Sequence, residues 1–190
     1  MIPVQTRRWT RAEYDRLIDV GVLHEDERIE LLGGQMIVAE PKGSRHSTAI
    51  GLTADALRAA FGLGWVIRVQ DPVALDDESE PEPDVVVAPG HHREYLGGHP
   101  VSPALVVEVA ESSLGFDRRF KGGLYARAGV ADYWIVNVVA DVLEVYRTPV
   151  ADPTADFGWR YGTIQTLRAG DSISPLSRPD ITVAVADLLP

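Results

Sequence analysis

The chain has 190 residues, of which 45% are hydrophobic and 24% are charged, the balance of an ordinary globular protein with one substantial core. Its formal net charge of −10 argues against a protein that coats nucleic acid non-specifically, although it does not exclude an enzyme that binds nucleic acid through a local patch. The absence of cysteine excludes disulfides and thiolate metal sites.

Neither a membrane span nor a signal peptide is evident in the sequence. No apolar run approaches the roughly 18–20 residues that a spanning helix needs, and the first residues lack the apolar segment of a signal peptide. We therefore expect a cytoplasmic protein that forms one domain over residues 1–190. Of its 18 basic residues only Lys42 and Lys121 are lysines, so each lysine stands out in a chain that otherwise uses arginine.

The first third of the chain predicts a helix, a hairpin and a second helix. Apolar residues at helical spacing over residues 10–23 predict an amphipathic helix with Thr10 as its N-cap. Two short apolar runs within residues 28–41 flank a Gly-Gly pair, which is typical of a β-hairpin. Helical spacing returns over residues 44–62, where Ser44 is the predicted N-cap.

The remainder of the chain predicts a sheet interrupted by one helix over residues 112–130. Loops rich in Asp, Glu, Pro, Gly and His separate the first strands, and shorter strands follow near the end of the chain. The main predicted strands are residues 64–75, 84–89, 104–110 and a pair within 132–148. This order predicts an α/β domain of the α+β kind, in which helices flank a central mixed sheet.

Two carboxylates in consecutive predicted strands are the sharpest chemical signal. Asp84 begins the run DVVVAP, and Glu108 lies late in ALVVEVA, where apolar residues flank it. If these strands pair in antiparallel fashion, both carboxylates lie at the same end of the sheet. Two buried carboxylates repel each other unless a divalent cation neutralises them, and carboxylate oxygens suit Mg²⁺ or Mn²⁺. The pair therefore predicts a metal site.

Lys121 is expected to complete this site. It lies about two turns inside the predicted helix that starts from the end of the sheet where Glu108 lies, so its long side chain can reach back. An ammonium group there can orient an attacking water or stabilise charge that develops on a phosphate.

These residues resemble the pattern of the PD-(D/E)XK nuclease superfamily: Pro83 and Asp84, then Glu108 within VVEVA, then a helical lysine. The chain more specifically resembles the Uma2-like (DUF820) family of restriction endonuclease-like proteins. That likeness runs through RIELLGGQMIV, SRHSTAI, IRVQDPVAL, SEPEPDVVV, LVVEVAESSLGFDRRFKGGLYARAGVADYWIVN and ISPLSRPDITVAVADLL. In the superfamily the lysine stands two positions after the acid, where this chain has Ala110. The family shows the same shift, with a helical lysine, here Lys121, in the role.

The resemblance implies a restriction endonuclease-like core with an N-terminal helix and hairpin, and a divalent metal held by Asp84 and Glu108. Asp84, Glu108 and Lys121 are then the predicted catalytic residues, joined by His46, whose position is typical of the family. Further candidates for the pocket are Glu30 and Gln70, and the predicted phosphate contacts are Arg45, Arg118, Arg119 and Arg127. The expected activity is Mg²⁺- or Mn²⁺-dependent cleavage of DNA by an endonuclease, which the resemblance leads us to expect as a homodimer.

Plainer structural interpretations stay open for each residue. Asp84 is also a common strand starter after proline, Glu108 can pair with a surface arginine, and Lys121 can be a solvated helix residue. His46 can serve as a hydrogen-bonding residue at a helix N-terminus, and Glu30 can lie on an exposed strand face. Solvated loops are expected for Asp76, Asp77, Glu78 and Glu80 and for His91, His92 and His99, whose spacing fits no familiar zinc site.

Two other functions also stay open. The chain can be a nuclease fold that serves as a catalytically weak or inactive binding or accessory module, although all three residues of the pattern are present. It can also hydrolyse another phosphodiester, such as RNA or a small nucleotide. Fold likeness alone does not choose among these functions.

Overall fold

The computed structural model describes residues 6–24, 27–39 and 42–190. The described chain begins with a helix, a hairpin and a second helix, and continues with three strands, a helical segment and five strands; a π-helical turn, Asp117–Lys121, lies between the third and fourth helices. The helices are α1 (Arg11–Asp19), α2 (Ser44–Phe61), α3 (Leu114–Phe116) and α4 (Gly122–Arg127). The strands are β1 (Ile29–Leu32), β2 (Gln35–Val38), β3 (Trp65–Val69), β4 (Val85–Pro89), β5 (Leu105–Ala110), β6 (Asp132–Asn137), β7 (Val142–Ala151), β8 (Trp159–Arg168), β9 (Ser172–Ile173) and β10 (Val183–Ala184).

A six-stranded mixed sheet in the order β3-β4-β5-β6-β7-β8 forms the centre of the fold. Strands β5 and β6 run parallel, and every other neighbouring pair in this sheet is antiparallel. Parallel neighbours need a crossover connection, which the segment from α3 through the π-helical turn to α4 provides. The predicted fold class, a mixed sheet flanked by helices with an N-terminal helix and hairpin, is confirmed.

The sheet buries apolar side chains on both faces. Along β5, Val107 and Val109 belong to the cluster that includes Leu57 of α2, whereas Val106 and Ala110 belong to the opposite cluster. Side chains alternate along a strand, so Glu108 lies on the second face. Tyr125 of α4 belongs to that cluster too, which places helix α4 beside Glu108.

Local sequence signals predicted one helix cap and one hairpin turn correctly and a second helix cap wrongly. Thr10 caps α1 in a reciprocal capping box with Glu13, as predicted. The β1–β2 hairpin turns at Gly33 and Gly34, whose positive φ angles of 57° and 76° suit glycine. The predicted cap of α2 was wrong: Gly43 is the N-cap, in extended conformation, and Ser44 is already helical.

Three predicted elements differ in extent from those observed. The first helix, predicted over 10–23, ends at Asp19. The run over 64–75 forms a strand only to Val69, because Gln70 has a φ of 55° and the chain leaves the sheet there. The helix predicted over 112–130 is present but is interrupted by the π-helical turn. Within the described residues, no helix has both the length and the hydropathy to cross a membrane.

Candidate active site

The two predicted carboxylates meet at one end of the β4–β5 pair. These strands are antiparallel with Val85 opposite Val107, so the same register places Asp84 opposite Glu108. Directly opposed residues of an antiparallel pair point to the same face of the sheet. The Val109 N–H donates to Asp84 Oδ2 at 2.8 Å, which ties the Asp84 carboxylate to strand β5. Both side chains are buried.

Lys121 reaches Glu108 from the helical crossover. Its Nζ donates to Glu108 Oε1 at 2.9 Å and lies 3.3 Å from Glu30 Oε2. Tyr125, one turn further along the helix, donates its hydroxyl to the same Glu108 oxygen at 2.7 Å. The interpretation of Lys121 as a solvated helix residue is wrong, because the side chain is buried.

The π-helical turn positions this part of the helix. It runs from Asp117 to Lys121, and the hydroxyl of Tyr133 donates to the Asp117 carbonyl at 3.1 Å, which anchors the turn to the sheet. The Asp117 side chain is buried, and Ser113 Oγ donates to it at 2.5 Å. Single π-helical turns within α-helices occur frequently at functional sites.

His46 approaches Asp84 from the first turn of α2. Its Nε2 lies 3.4 Å from Asp84 Oδ2, at the outer limit of a hydrogen bond. The His46 side chain is buried. Gln70 contacts the same residue less closely, with Nε2 3.5 Å from Asp84 Oδ1, although the Gln70 N–H donates to the Asp84 carbonyl at 3.1 Å.

Lys42 is a residue of this site that the sequence prediction missed, as are Tyr125 and Asp117. Its Nζ donates to Asp84 Oδ1 at 2.6 Å, from the segment between the hairpin and α2. The signal that could have found it was already in the composition, since Lys42 and Lys121 are the chain's two lysines. Both of them line the pocket around the carboxylates.

This pocket has a volume of about 410 Å³ and lies between the hairpin, the start of α2 and the π-helical turn. Glu30 of β1 forms part of its wall and accepts the Glu82 N–H at 3.2 Å. The interpretation of Glu30 as an exposed strand residue is wrong, since its exposed fraction is 7%. The apolar side chains of Ile37 and Phe116 form another part of the wall.

Among the described residues of the pocket wall, acidic groups outnumber basic groups by six to three. The carboxylates are Glu30, Glu82, Asp84, Glu108, Glu111 and Asp117, and the permanently charged cations are Arg28, Lys42 and Lys121. Four of these carboxylates, Glu30, Asp84, Glu108 and Asp117, are buried, and such an excess of negative charge is unfavourable unless some of them bind protons or a cation.

The pKa values in the pocket differ strongly between the two central carboxylates. Burial raises the pKa of Glu108 to about 8, against the opposing effect of Lys121 and with a further contribution from Asp84. Burial also raises the pKa of Asp84, but its contacts with His46, Lys42 and the Val109 N–H outweigh burial and hold that pKa below its ordinary value. At neutral pH Asp84 is therefore ionised, whereas Glu108 holds a proton in much of the metal-free protein.

Two further groups in the pocket have shifted pKa values. Burial raises the pKa of Asp117 to about 6, although Lys121 and Ser113 oppose the shift. Burial lowers the pKa of Lys121, but the charges of Glu108, Glu30 and Asp117 overcome that effect and raise it well above its ordinary value. Lys121 is thus a fixed positive charge.

The donors of this pocket fit a hard divalent cation. In the described ranges, no three His, Asp or Glu side chains are already arranged as a metal cluster. Mg²⁺, however, is commonly bound by one or two carboxylates and keeps several waters. Asp84 and Glu108 supply such a pair, in a wall whose negative charge exceeds its positive charge.

The four predicted phosphate-contact arginines lie outside the wall of this pocket. Each is close to a carboxylate: the pairs are Arg45–Asp141 at 2.5 Å, Arg118–Glu144 at 2.6 Å, Arg119–Asp156 at 3.7 Å and Arg127–Asp76 at 2.6 Å. Arg118 and Arg119 line a second depression of about 260 Å³. Arg127 also lies over the ring of Phe157, 4.9 Å from its centroid.

The acidic loop before β4 is only partly solvated. Asp77 is exposed, as predicted, but the prediction was wrong for Glu80, whose exposed fraction is 6%. The Glu80 N–H donates to the Leu31 carbonyl at 2.7 Å, which draws the loop against the hairpin. Burial raises the pKa of Glu80 to about 7. His91, His92 and His99 are exposed, as expected.

Comparisons with known proteins agree with this architecture. A crystal structure of a protein from Anabaena variabilis, described as "a putative nuclease belonging to DUF820", matches with a TM-score of 0.64 and 12% sequence identity. The match covers 90% of this chain and 94% of that chain, and at this identity it shows a shared fold. Comparison with curated proteins gave no match. The family model described as "Uma2: Putative restriction endonuclease" matches residues 11–186, and the chain therefore belongs to the Uma2 family.

Proposed function

We propose that this protein is a Mg²⁺- or Mn²⁺-dependent endonuclease that hydrolyses the phosphodiester bonds of DNA. One observation carries the proposal: Asp84 and Glu108 are opposed across β4 and β5, and Lys121 lies 2.9 Å from Glu108 in the same pocket. The description of the family as restriction endonucleases supports nuclease chemistry.

Asp84 and Glu108 are the residues that would hold the divalent ion. Bound there, Mg²⁺ or Mn²⁺ would polarise the scissile phosphate and lower the pKa of a bound water. The hydroxyl of Tyr125 donates to Glu108 Oε1 and the N–H of Val109 donates to Asp84 Oδ2, so both carboxylates are oriented before anything binds. Such pre-orientation lowers the cost of assembling the site.

Lys121 acts as a fixed positive charge rather than as a base. The carboxylates around it raise its pKa well above the ordinary value, so it keeps its proton at neutral pH. An ammonium ion next to Glu108 can stabilise negative charge that develops on the phosphate during hydrolysis. His46, 3.4 Å from Asp84, supports the orientation of that carboxylate.

The proposed substrate is DNA, bound weakly and with strong dependence on salt because the chain carries a net charge of −10. Three of the predicted phosphate-contact arginines carry exposed side chains outside the pocket, where a long substrate can contact them. These side chains are 46% to 81% exposed and belong to Arg45, Arg118 and Arg119. Their role in phosphate binding and the homodimer stay predictions.

The experiment is cleavage of supercoiled plasmid with Mg²⁺ or Mn²⁺ by wild type, Asp84→Asn and Glu108→Gln. Asp55→Asn is the matched control, because it removes the same charge from an exposed position on α2 outside the pocket. We expect nicking or linearisation by wild type and the control alone. Equal cleavage by all four proteins would reject this site. No cleavage of DNA or of an RNA panel by any of them would favour the accessory-module function.

A further inference from the structure

The distribution of lysine and arginine around the candidate active site is uneven. Both lysines of the chain line the pocket, whereas Arg28 is the one arginine of sixteen in its wall. Each lysine contacts one of the two opposed carboxylates: Lys121 Nζ lies 2.9 Å from Glu108, and Lys42 Nζ lies 2.6 Å from Asp84. Lysine thus occurs at the two opposed carboxylates. Its ammonium is a compact charge on a flexible stem, whereas the guanidinium group of arginine is planar.

The two lysines differ in how firmly they are held. Lys121 belongs to the π-helical turn, its side chain is 9% exposed, and it contacts both Glu108 and Glu30. Lys42 lies outside any helix or strand, and its side chain is 18% exposed. Lys42 is therefore the lysine whose ammonium can leave its carboxylate without moving a helix.

The contacts of Asp84 explain why Lys42 would have to leave. Oδ2 of Asp84 accepts the Val109 N–H at 2.8 Å and faces His46. Among the described residues, Oδ1 has only the longer 3.5 Å contact with Gln70 Nε2 besides Lys42, so Oδ1 is the more open oxygen for a cation. Lys42 holds that oxygen at 2.6 Å. Two cations at one carboxylate oxygen repel each other, so a divalent ion and Lys42 compete for Asp84.

The same charges indicate where the released ammonium goes. A phosphodiester that enters this pocket meets the six carboxylates of its described wall and needs a positive partner. Lys121 is held between Glu108 and Glu30, and Arg28, the third cation of the described wall, is exposed. Lys42, once separated from Asp84, supplies a positive charge in the same pocket for the phosphate.

We propose that Lys42 is an exchangeable cation: it neutralises Asp84 until a divalent ion binds there, and its ammonium then binds the phosphate of the substrate. This inference rests on the proposed function, because it requires a divalent ion at Asp84 and Glu108. It adds a phosphate-binding residue that the nuclease pattern in the sequence does not contain.

The first experiment measures Mn²⁺ binding by isothermal titration calorimetry without nucleic acid. We compare wild type with Lys42→Met, Lys42→Arg and the control Arg58→Met, which removes an exposed cation of α2 that is paired with Asp55. Loss of the competing charge is expected to tighten Mn²⁺ binding by about tenfold in Lys42→Met. Lys42→Arg is expected to weaken Mn²⁺ binding, because a guanidinium group binds a carboxylate more strongly, through two hydrogen bonds. Arg58→Met should match wild type.

The second experiment measures DNA binding by the same proteins with Ca²⁺ in place of Mg²⁺. Lys42→Met is expected to bind a short duplex about tenfold more weakly, and the slope of log affinity against log salt should fall by about one relative to wild type. The control Arg58→Met should keep the wild-type slope.

The outcomes separate the two proposals. Unchanged or weaker Mn²⁺ binding in Lys42→Met, with tight binding in wild type, would overturn the exchange and leave the metal centre intact. An unchanged salt slope in Lys42→Met would overturn its contact with phosphate. If wild type binds no Mn²⁺, or if Asp84→Asn binds it as well as wild type, the proposed metal centre fails and the exchange fails with it.

Discussion

Two aspartates at the start of two buried strands have opposite surroundings. Asp84 directly precedes the VVVAP of β4, and Asp132 begins the DYWIVN of β6. Asp132 is fully buried, and both of its oxygens are satisfied. Oδ1 accepts from Trp134 Nε1 and Arg147 Nε, each at 2.8 Å, and Oδ2 accepts from the Leu176 N–H at 2.8 Å and Arg147 Nη2 at 3.2 Å.

Asp84 is buried to a similar degree but faces a cavity. Its ion pair is with Lys42, which lies outside any helix or strand, and five more carboxylates of the described residues line the same pocket. The comparison teaches that burial of a carboxylate does not by itself indicate function. A neutralised carboxylate in a closed environment stabilises the fold, whereas a carboxylate in an open pocket with surplus negative charge is suited to bind a cation.

The largest expected effect comes from exchanging the two aspartates for asparagine. Asp84→Asn should lower plasmid cleavage by at least about 100-fold with a smaller loss of stability than Asp132→Asn, because Lys42 lies outside any helix or strand and its ammonium can turn to solvent when the charge of Asp84 is lost. Asp132→Asn should keep its activity per folded molecule but lose about 3 kcal/mol in the free energy of unfolding, because Arg147 is left unpaired. Urea denaturation and cleavage rates measure the two effects. If Asp84→Asn lost stability and Asp132→Asn did not, Asp84 would be the structural carboxylate of the two.

A comparable contrast is expected for the cations that face these aspartates. Lys121→Met should reduce cleavage by about 100-fold, and the protein should still fold because Glu108 can take up a proton. Lys121→Arg should not restore the rate, since the guanidinium differs in shape from the ammonium it replaces. Arg147→Met, remote from the pocket, should keep the rate and lose stability. Single-turnover cleavage with saturating metal measures the rates.

The pH dependence of stability should distinguish the pocket from the rest of the core. Because burial raises the pKa of Glu108 from its ordinary 4.5 to about 8, the metal-free folded state binds a proton that the unfolded state releases. The stability from this proton is fully present below pH 4.5 and is lost as the pH rises through 8, at no more than about 1.4 kcal/mol per pH unit.

Urea denaturation from pH 5 to 8 measures this loss, and Glu108→Gln should flatten the profile. Metal binding at pH 7 should release a proton from Glu108, since a ligand carboxylate must be ionised. Calorimetry in two buffers of different ionisation enthalpy detects that proton. An unchanged profile in Glu108→Gln would show that another group is responsible.

The smallest effect is expected at the exposed ion pair of Arg45 and Asp141. Because both side chains are at least half exposed, Arg45→Met should change the free energy of unfolding by less than about 0.5 kcal/mol. If Arg45 binds phosphate as predicted, the salt slope of DNA binding should fall by about one. A wild-type slope in this variant would remove Arg45 from the proposed interface.

Much of the fold followed from local sequence signals. Thr10 and Glu13 are three residues apart and form a capping box, and Gly33 and Gly34 adopt the positive φ angles of a tight hairpin turn. These features depend on neighbouring residues alone, so the sequence was sufficient to predict them. The placement of Asp84 and Glu108 on one face also followed, because antiparallel register and side-chain alternation relate the two strands simply.

Residues whose partners are distant in sequence could not be placed in this way. The burial of Glu30 and Glu80 depends on how the hairpin and the acidic loop pack together, as in the contact of the Glu80 N–H with Leu31. The π-helical turn at Asp117 had no sequence signal and is held by Tyr133 from β6.

The sequence by itself determined the mixed sheet, its first helix and hairpin, and the opposed carboxylates of Asp84 and Glu108. Only the tertiary structure decided that Lys42 lies against Asp84, that Glu108 rather than Asp84 has the raised pKa, and that Asp132 is neutralised. The physical reason is that periodicity specifies the face on which a side chain lies, whereas the charge state of a group depends on neighbours that long-range packing brings to it.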